Sequence, residues 1–164
     1  MNDKKFNIHD VVDYIIVRLD EGGVALSLLK LQKLLFYVQA WRLAFGKGPF
    51  FAGSFQAWIH GPVNRDVYDR FKDDFSLYSI VGTSAIKDEK VGEAFTDEER
   101  LHIDEVLEAY GCFSGTQLEA MTHSEKPWQA AREGYRPSQR CENLINEELM
   151  AAFYKQQLAD LERV

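Results

Sequence analysis

Apolar side chains recur at helical spacing near the start of the chain, at Ile8, Val11, Val12, Ile15 and Leu19. Asn7 stands where an N-cap belongs, Asp10 follows three residues on, and Gly22-Gly23 ends the run. Ser27 is the next cap, and the segment from Leu28 to Phe45 holds no breaker before Gly46. On a helical wheel this segment has two apolar arcs. Leu31, Leu34, Leu35, Val38 and Phe45 form one, and Leu29, Phe36, Ala40 and Leu43 the other. Lys30, Lys33 and Tyr37 make a polar stripe between them, and Gln32 and Gln39 a narrower second one. A helix apolar on two sides belongs at the centre of a bundle. The two glutamines are expected to hydrogen-bond neighbouring backbone, with a specificity contact as the alternative.

Past a turn region from Gly46 to Gly53, residues Phe55 to Ile59 read as a short extended stretch, an edge strand or hairpin arm. His60-Gly61-Pro62 stops it, because the residue before proline is biased to extended geometry. Gly61 and Pro62 are expected to turn the chain from the Trp58 strand into a helix carrying Val63, Val67, Tyr68 and Phe71, started by Pro62 or Asn64. Residues 73–95 show weak periodicity and read as a mobile loop, with a strand around Leu77 to Val81 as an option. Thr96 and Glu99 form a capping box before an apolar face of Leu101, Val106, Leu107 and Tyr110, ended by Gly111. Ser114 and Gln117 form another, opening a helix to about His123. Pro127 stands in the first turn of a short helix with Trp128, Ala131 and Arg132. Asn146 caps a last helix with apolar positions Leu149, Phe153, Leu158 and Leu161. The expected fold is mainly α: a single compact helical domain over residues 1–164, with six or seven helices and a small β element around residues 50–60.

Charge changes the picture of partners. Residues 1–75 carry ten Lys/Arg and nine Asp/Glu, whereas residues 76–164 carry nine and seventeen, so the net charge of −7 belongs to the second half. That balance argues against a general nucleic-acid or anionic-membrane binder, which needs a basic face. No apolar run approaches the ~20 residues of a membrane span. The polar start, Met1 to Asn7, does not read as a signal peptide. Two cysteines, Cys112 and Cys141, make no disulfide framework and fit a reducing cytoplasm.

Candidate chemistry is sparse. Cys112 and Cys141 are far apart, and His9, His60, His102 and His123 do not fall at metal-ligand spacing. Gly46-Lys47-Gly48 is too short for a phosphate loop. Neither a metal nor a nucleotide cofactor is expected. A nucleophilic pair of Cys112 with His102 or His123 competes with a plain reading of Cys112 as a small core or capping residue. Residues 97–123 could be forced into a helix-turn-helix, but Gln117 to Thr122 lacks the Arg/Lys that would hold phosphates, and Lys30 and Lys33 make only a small basic patch.

Three stretches together resemble the Panacea domain of SocA-like antitoxins, a family also seen as phage-associated proteins. The first runs from Leu28 to Trp41 and holds Lys30, Gln32, Lys33, Tyr37 and Gln39. The second holds Trp58, His60, Gly61, Pro62 and Val63, followed by Tyr68. The third, from Leu118 to Arg132, holds Thr122, His123, Glu125, Pro127 and Trp128. The resemblance implies a helical domain that neutralises a protein toxin encoded next door by binding it. It brings no catalytic residues and no cofactor, and it leaves the motif residues as framework or partner contacts. Some relatives append a DNA-binding domain; this chain has no room for one, so operator binding is not expected. A homodimer stays open. Toxins acting on RNA or nucleotides present basic sites, which makes Glu142, Glu147, Glu148 and Asp160 candidate partner contacts. Two alternatives stand beside this one. The domain is a proteolytic adaptor or phage-associated interaction protein with no toxin, or it is an enzyme using His60 or His123 as acid/base.

Overall fold

Local capping chemistry sets where the helices begin. The computed structural model describes residues 6–163; Met1 to Lys5, part of the polar start noted above, lie outside them, as does Val164. Side chains of Asn7, Ser27, Asn64, Thr96, Ser114 and Asn146 accept backbone N–H groups at the starts of α1 (Ile8–Glu21), α2 (Leu28–Ala44), α3 (Arg65–Phe71), α4 (Asp97–Tyr110), α5 (Gly115–His123) and α7 (Glu147–Glu162). Both predicted capping boxes are closed in both directions. The helix α6 (Lys126–Ala131) has no side-chain cap and carries Pro127 in its first turn, where a missing N–H costs nothing. Two short 3-10 turns, at Thr83–Ala85 and Val91–Ala94, complete the helical content. The fold is mainly helical, with seven α-helices and one two-stranded antiparallel sheet among the described residues.

Helix α2 is the axle of this arrangement. Helices α4, α5 and α7, the hairpin and α1 all pack on it. Leu31, Leu34, Leu35 and Val38 on one arc are buried, as are Leu29, Phe36 and Ala40 on the other. Phe45 has left the helix and is 45% exposed, because it forms the C-cap, where the chain turns away.

The β element corrects the expected turn. Strand β1 (Gln56–Trp58) pairs with β2 (Gly61–Val63), Ala57 opposite Pro62. The hairpin turn is Ile59-His60, and Gly61 and Pro62 lie in its second arm. Val63 therefore belongs to the sheet, and Asn64 alone starts α3. On its other side β1 meets residues 143–145, through Ala57 N–H to Asn143 O (2.9 Å) and Ile145 N–H to Phe55 O (2.8 Å). Residues 77–81 form no strand. They lie along the start of α2, where Leu28 N–H donates to Ser79 O and Leu29 N–H to Leu77 O, so they take orphan donors of that helix. The neighbouring loop is fastened by Arg70, which donates to Asp13 Oδ1 (2.6 Å) in a buried ion pair and to Ala85 O.

Three further expectations are corrected. On α4 the inward face is His102, Ile103, Val106 and Leu107, and Leu101 is 56% exposed. On α7 the buried positions are Met150 and Tyr154, and Leu161 is 68% exposed. Cys112 is exposed rather than a core residue, whereas Cys141 is buried. No helix among the described residues is long and apolar enough to cross a membrane.

Candidate functional site

The motif residues on α2 are pins. Lys30, Gln32, Lys33, Tyr37 and Gln39 are all buried. A polar side chain inside a core must find a partner, and each of these finds a different segment. Lys30 Nζ donates to Gly111 O at the end of α4 (2.6 Å). Gln32 takes both polar groups of Asn64, accepting from its N–H (2.9 Å) and donating to its C=O (3.1 Å). Gln39 does the same for the loop at Phe50 and Phe51, accepting at Oε1 and donating to Phe51 O. Backbone bonding is thus the observed role of both glutamines. Lys30 and Lys33 make no basic patch, because burial takes them off the surface.

Lys33 lies under the hairpin. Its Nζ donates to Pro62 O (3.1 Å), and desolvation pulls its pKa down to about 7, with Glu119 opposing the shift. Gly61 is required above it. Its φ of 100° disfavours side chains, and a Cβ there would sit 2.5 Å from Lys33 Cε and 3.0 Å from Thr122 Oγ1. Thr122 itself is buried, its hydroxyl donating to Glu119 O.

Glu125 is the second buried node. Its Oε1 accepts from Tyr37 Oη (2.7 Å) and Tyr154 Oη (2.8 Å), so one carboxylate joins α2, the α5–α6 junction and α7. Burial pushes Glu125 up, against the two phenol hydrogen bonds. Both tyrosines are pushed up as well, first by burial and then by the Glu125 charge. Nearby, Trp128 Nε1 donates to Trp58 O (2.9 Å), and the His123 ring stacks on Trp128 at 4.0 Å. Arg132, also buried, donates to Ala57 O and to the carbonyls of Arg136 and Gln139. The underside of the hairpin is therefore framework.

Its outer side is different. Trp58 and Tyr68 are half-buried and His60 is exposed. They line a cleft of ≈ 310 Å³ with Arg65, Arg140 and Glu142. Trp58 and Tyr68 meet edge-on, 4.9 Å between centroids, and Trp58 Nε1 donates to Gln56 Oε1. The Arg65 guanidinium lies 5.7 Å from each ring centroid. Sequence reasoning missed Arg65 and Arg140. No local signal marks them, because they come together only once β1 lies beside residues 143–145.

The histidines do not converge on one open site. His60 Nδ1 is 2.9 Å from Glu119 Oε1 at the surface. His123 feels the same carboxylate, but burial lowers its pKa, its ring lies flat on Trp128, and its buried Nε2 has no partner among the described residues. His102 Nε2 donates to Val38 O (2.8 Å) inside the core, whereas Cys112 is exposed. Among the described residues no three His, Cys, Asp or Glu side chains gather as metal ligands.

The four acidic candidates are scattered. Glu142 is held by Arg65 and Arg140, which keep its carboxyl below the usual range. Glu147 and Glu148 sit in the first turn of α7, where the helix dipole favours them. Asp160 lies about 20 Å further along that helix, paired with Arg163 and accepting from Gln156.

Residues 31–129 match the family model described as Antitoxin SocA-like, Panacea domain. A curated relative, Antitoxin SocA of Caulobacter vibrioides (strain NA1000 / CB15N), is 34% identical over 119 residues, which cover 68% of this chain and 62% of the relative. No solved structure matches.

Proposed function

Because the chain belongs to the SocA-like antitoxin family with a Panacea domain, we propose that it is an antitoxin that neutralises a protein toxin encoded beside it, by direct contact through the outer face of the hairpin. The observation that supports this face is the division among motif side chains. Lys30, Gln32, Lys33, Tyr37, Gln39, Thr122, Glu125 and Trp128 are buried, whereas Trp58, His60 and Tyr68 reach solvent. A Trp and a Tyr beside an Arg are the residue types that carry most energy at protein interfaces. The acidic second half, including Glu147, Glu148 and Asp160, acts at longer range and speeds encounter with a basic-faced toxin.

Co-expression with the adjacent open reading frame tests the reading. The neighbour alone should arrest growth, the pair should grow, and the two proteins should copurify. Loss of rescue in a folded Trp58→Ala, Tyr68→Ala double variant supports the hairpin face; full rescue by it moves the contact elsewhere. The His60–Glu119 pair is the one observation favouring acid/base chemistry, and rescue that survives His60→Ala counts against that reading.

A further inference from the structure

We propose that Glu142 stands in for a carboxylate of the partner, and that the cleft beside the hairpin takes a partner segment pairing an Asp or Glu with a bulky apolar side chain. The inference rests on reading the hairpin face as the contact face, and it names the chemistry that face selects.

Two arginines converge on one oxygen. Arg140 Nη2 is 2.9 Å and Arg65 Nη1 3.3 Å from Glu142 Oε1. The arginine side chains are 82% and 46% exposed, so most of their donors remain unused. An exposed ion pair adds little to stability. Exchanging Glu142 for an incoming carboxylate therefore disturbs the fold little. Arg65 is also the better prepared of the two. Its guanidinium lies 5.7 Å from both the Trp58 and Tyr68 ring centroids, and a planar fork placed beside aromatic rings loses less freedom when it binds a carboxylate.

The rest of the cleft sets what accompanies the charge. Trp58, Ile59 and Tyr68 form an apolar wall. A volume of ≈ 310 Å³ is at the low end for a ligand pocket, and suits one large side chain plus a carboxylate. Two arginines and one carboxylate line the cleft, with Asp69 3.8 Å from Arg65 Nε in a further exposed pair and His60 turned to Glu119. Strand addition is not offered, because β1 is paired with β2 on one side and with residues 143–145 on the other. A flat nucleobase fits less well than a peptide. The two rings stand 65° apart and leave no parallel slot.

Glu142 thereby acquires a sign. As a direct contact to a basic toxin it would help binding; as a stand-in it competes. The test uses the full chain and follows the Trp58 indole N–H by NMR, assigned by its absence in Trp58→Phe. The probes are acetyl-Glu-Leu-Asp-Phe-amide, its uncharged analogue acetyl-Gln-Leu-Asn-Phe-amide, and AMP. The acidic peptide should give a saturable shift at millimolar concentration, with the amide analogue about tenfold weaker, as expected for loss of a charge-assisted contact. Glu142→Gln should tighten the acidic peptide, and Arg140→Ala should weaken it. Equal affinity for both peptides, no saturable shift, tighter binding of AMP, or weaker acidic-peptide binding by Glu142→Gln would each overturn the proposal. The titration contains no toxin. A failed peptide with intact toxin rescue therefore removes the carboxylate assignment alone, and a bound peptide with no copurifying toxin removes the antitoxin contact alone.

Discussion

Helix α2 and the outer face of the hairpin use the same kinds of residue in opposite ways. On α2, Lys30, Gln32, Lys33, Tyr37 and Gln39 have no water to bond, so each is committed to a fixed partner on another segment. At the hairpin, Trp58, Tyr68, Arg65 and Arg140 reach solvent, and their contacts with one another and with Glu142 lie at the surface. The lesson is that a shared motif need not be one site. Part of it holds the domain together, and part is free to touch something else. The two parts meet at Gly61 and Trp128, where the framework supports the hairpin from below.

Breaking that support should have the largest effect. Trp128→Ala removes a buried ring and the donor to Trp58 O, and should destabilise the domain by about 3–5 kcal/mol in chemical denaturation. Gly61→Val drives a side chain into Lys33 at a positive φ. It should lose on the order of 3 kcal/mol and most soluble yield. A Gly61→Val protein that melts like wild type would show that the hairpin yields where the framework account says it cannot.

Glu125 separates shape from charge. Glu125→Ala strands two buried phenol hydroxyls, at about 1–3 kcal/mol each. Glu125→Gln keeps an oxygen that can accept from both and should be nearly neutral at pH 7. Because the folded carboxyl titrates above its ordinary value, its contribution is fully present below that ordinary value and fades as pH rises through the folded one. Glu125→Gln should remove that acid-side dependence from melting curves.

Lys33 gives a pH effect of opposite sign. Its folded value, about 7, lies below its ordinary 10.5. Between these the unfolded chain binds more protons, so this group makes stability rise with pH across the window. Lys30, lowered by burial, acts in the same direction. Melting temperatures from pH 7 to pH ~9.5 should climb less steeply in Lys33→Met than in wild type. Equal slopes would mean that Lys33 is not held neutral by its surroundings.

Much of the framework was legible because capping is local. Asn7, Ser27, Thr96, Ser114 and Asn146 each declare a helix start within four residues, and the structure uses all five. The centrality of α2 was legible from its two apolar arcs. The burial of Lys30 and Lys33 follows from the same arcs, because a polar stripe squeezed between two buried arcs has no outward face left. The second hairpin arm was hidden because Gly-Pro reads as a stop; Pro62 can sit in β2 since what the core takes from it is its carbonyl, bonded by Lys33. On α7 the apolar residues surround the helix too evenly for periodicity to choose Met150 and Tyr154 over Leu149 and Leu161. The cleft was the least legible part, since Arg65 and Arg140 are brought together by tertiary pairing alone.

The central claim is that Trp58 belongs to the contact side of this division rather than to the framework. The most direct test is one variant with two readouts: Trp58→Ala, measured for thermal stability and for copurification with the co-expressed toxin. The half-buried ring should be worth about 1–2 kcal/mol of folding stability, less than a full core aromatic, while toxin capture should be lost. A variant that unfolds like Trp128→Ala, or one that stays folded and still captures the toxin, would contradict it.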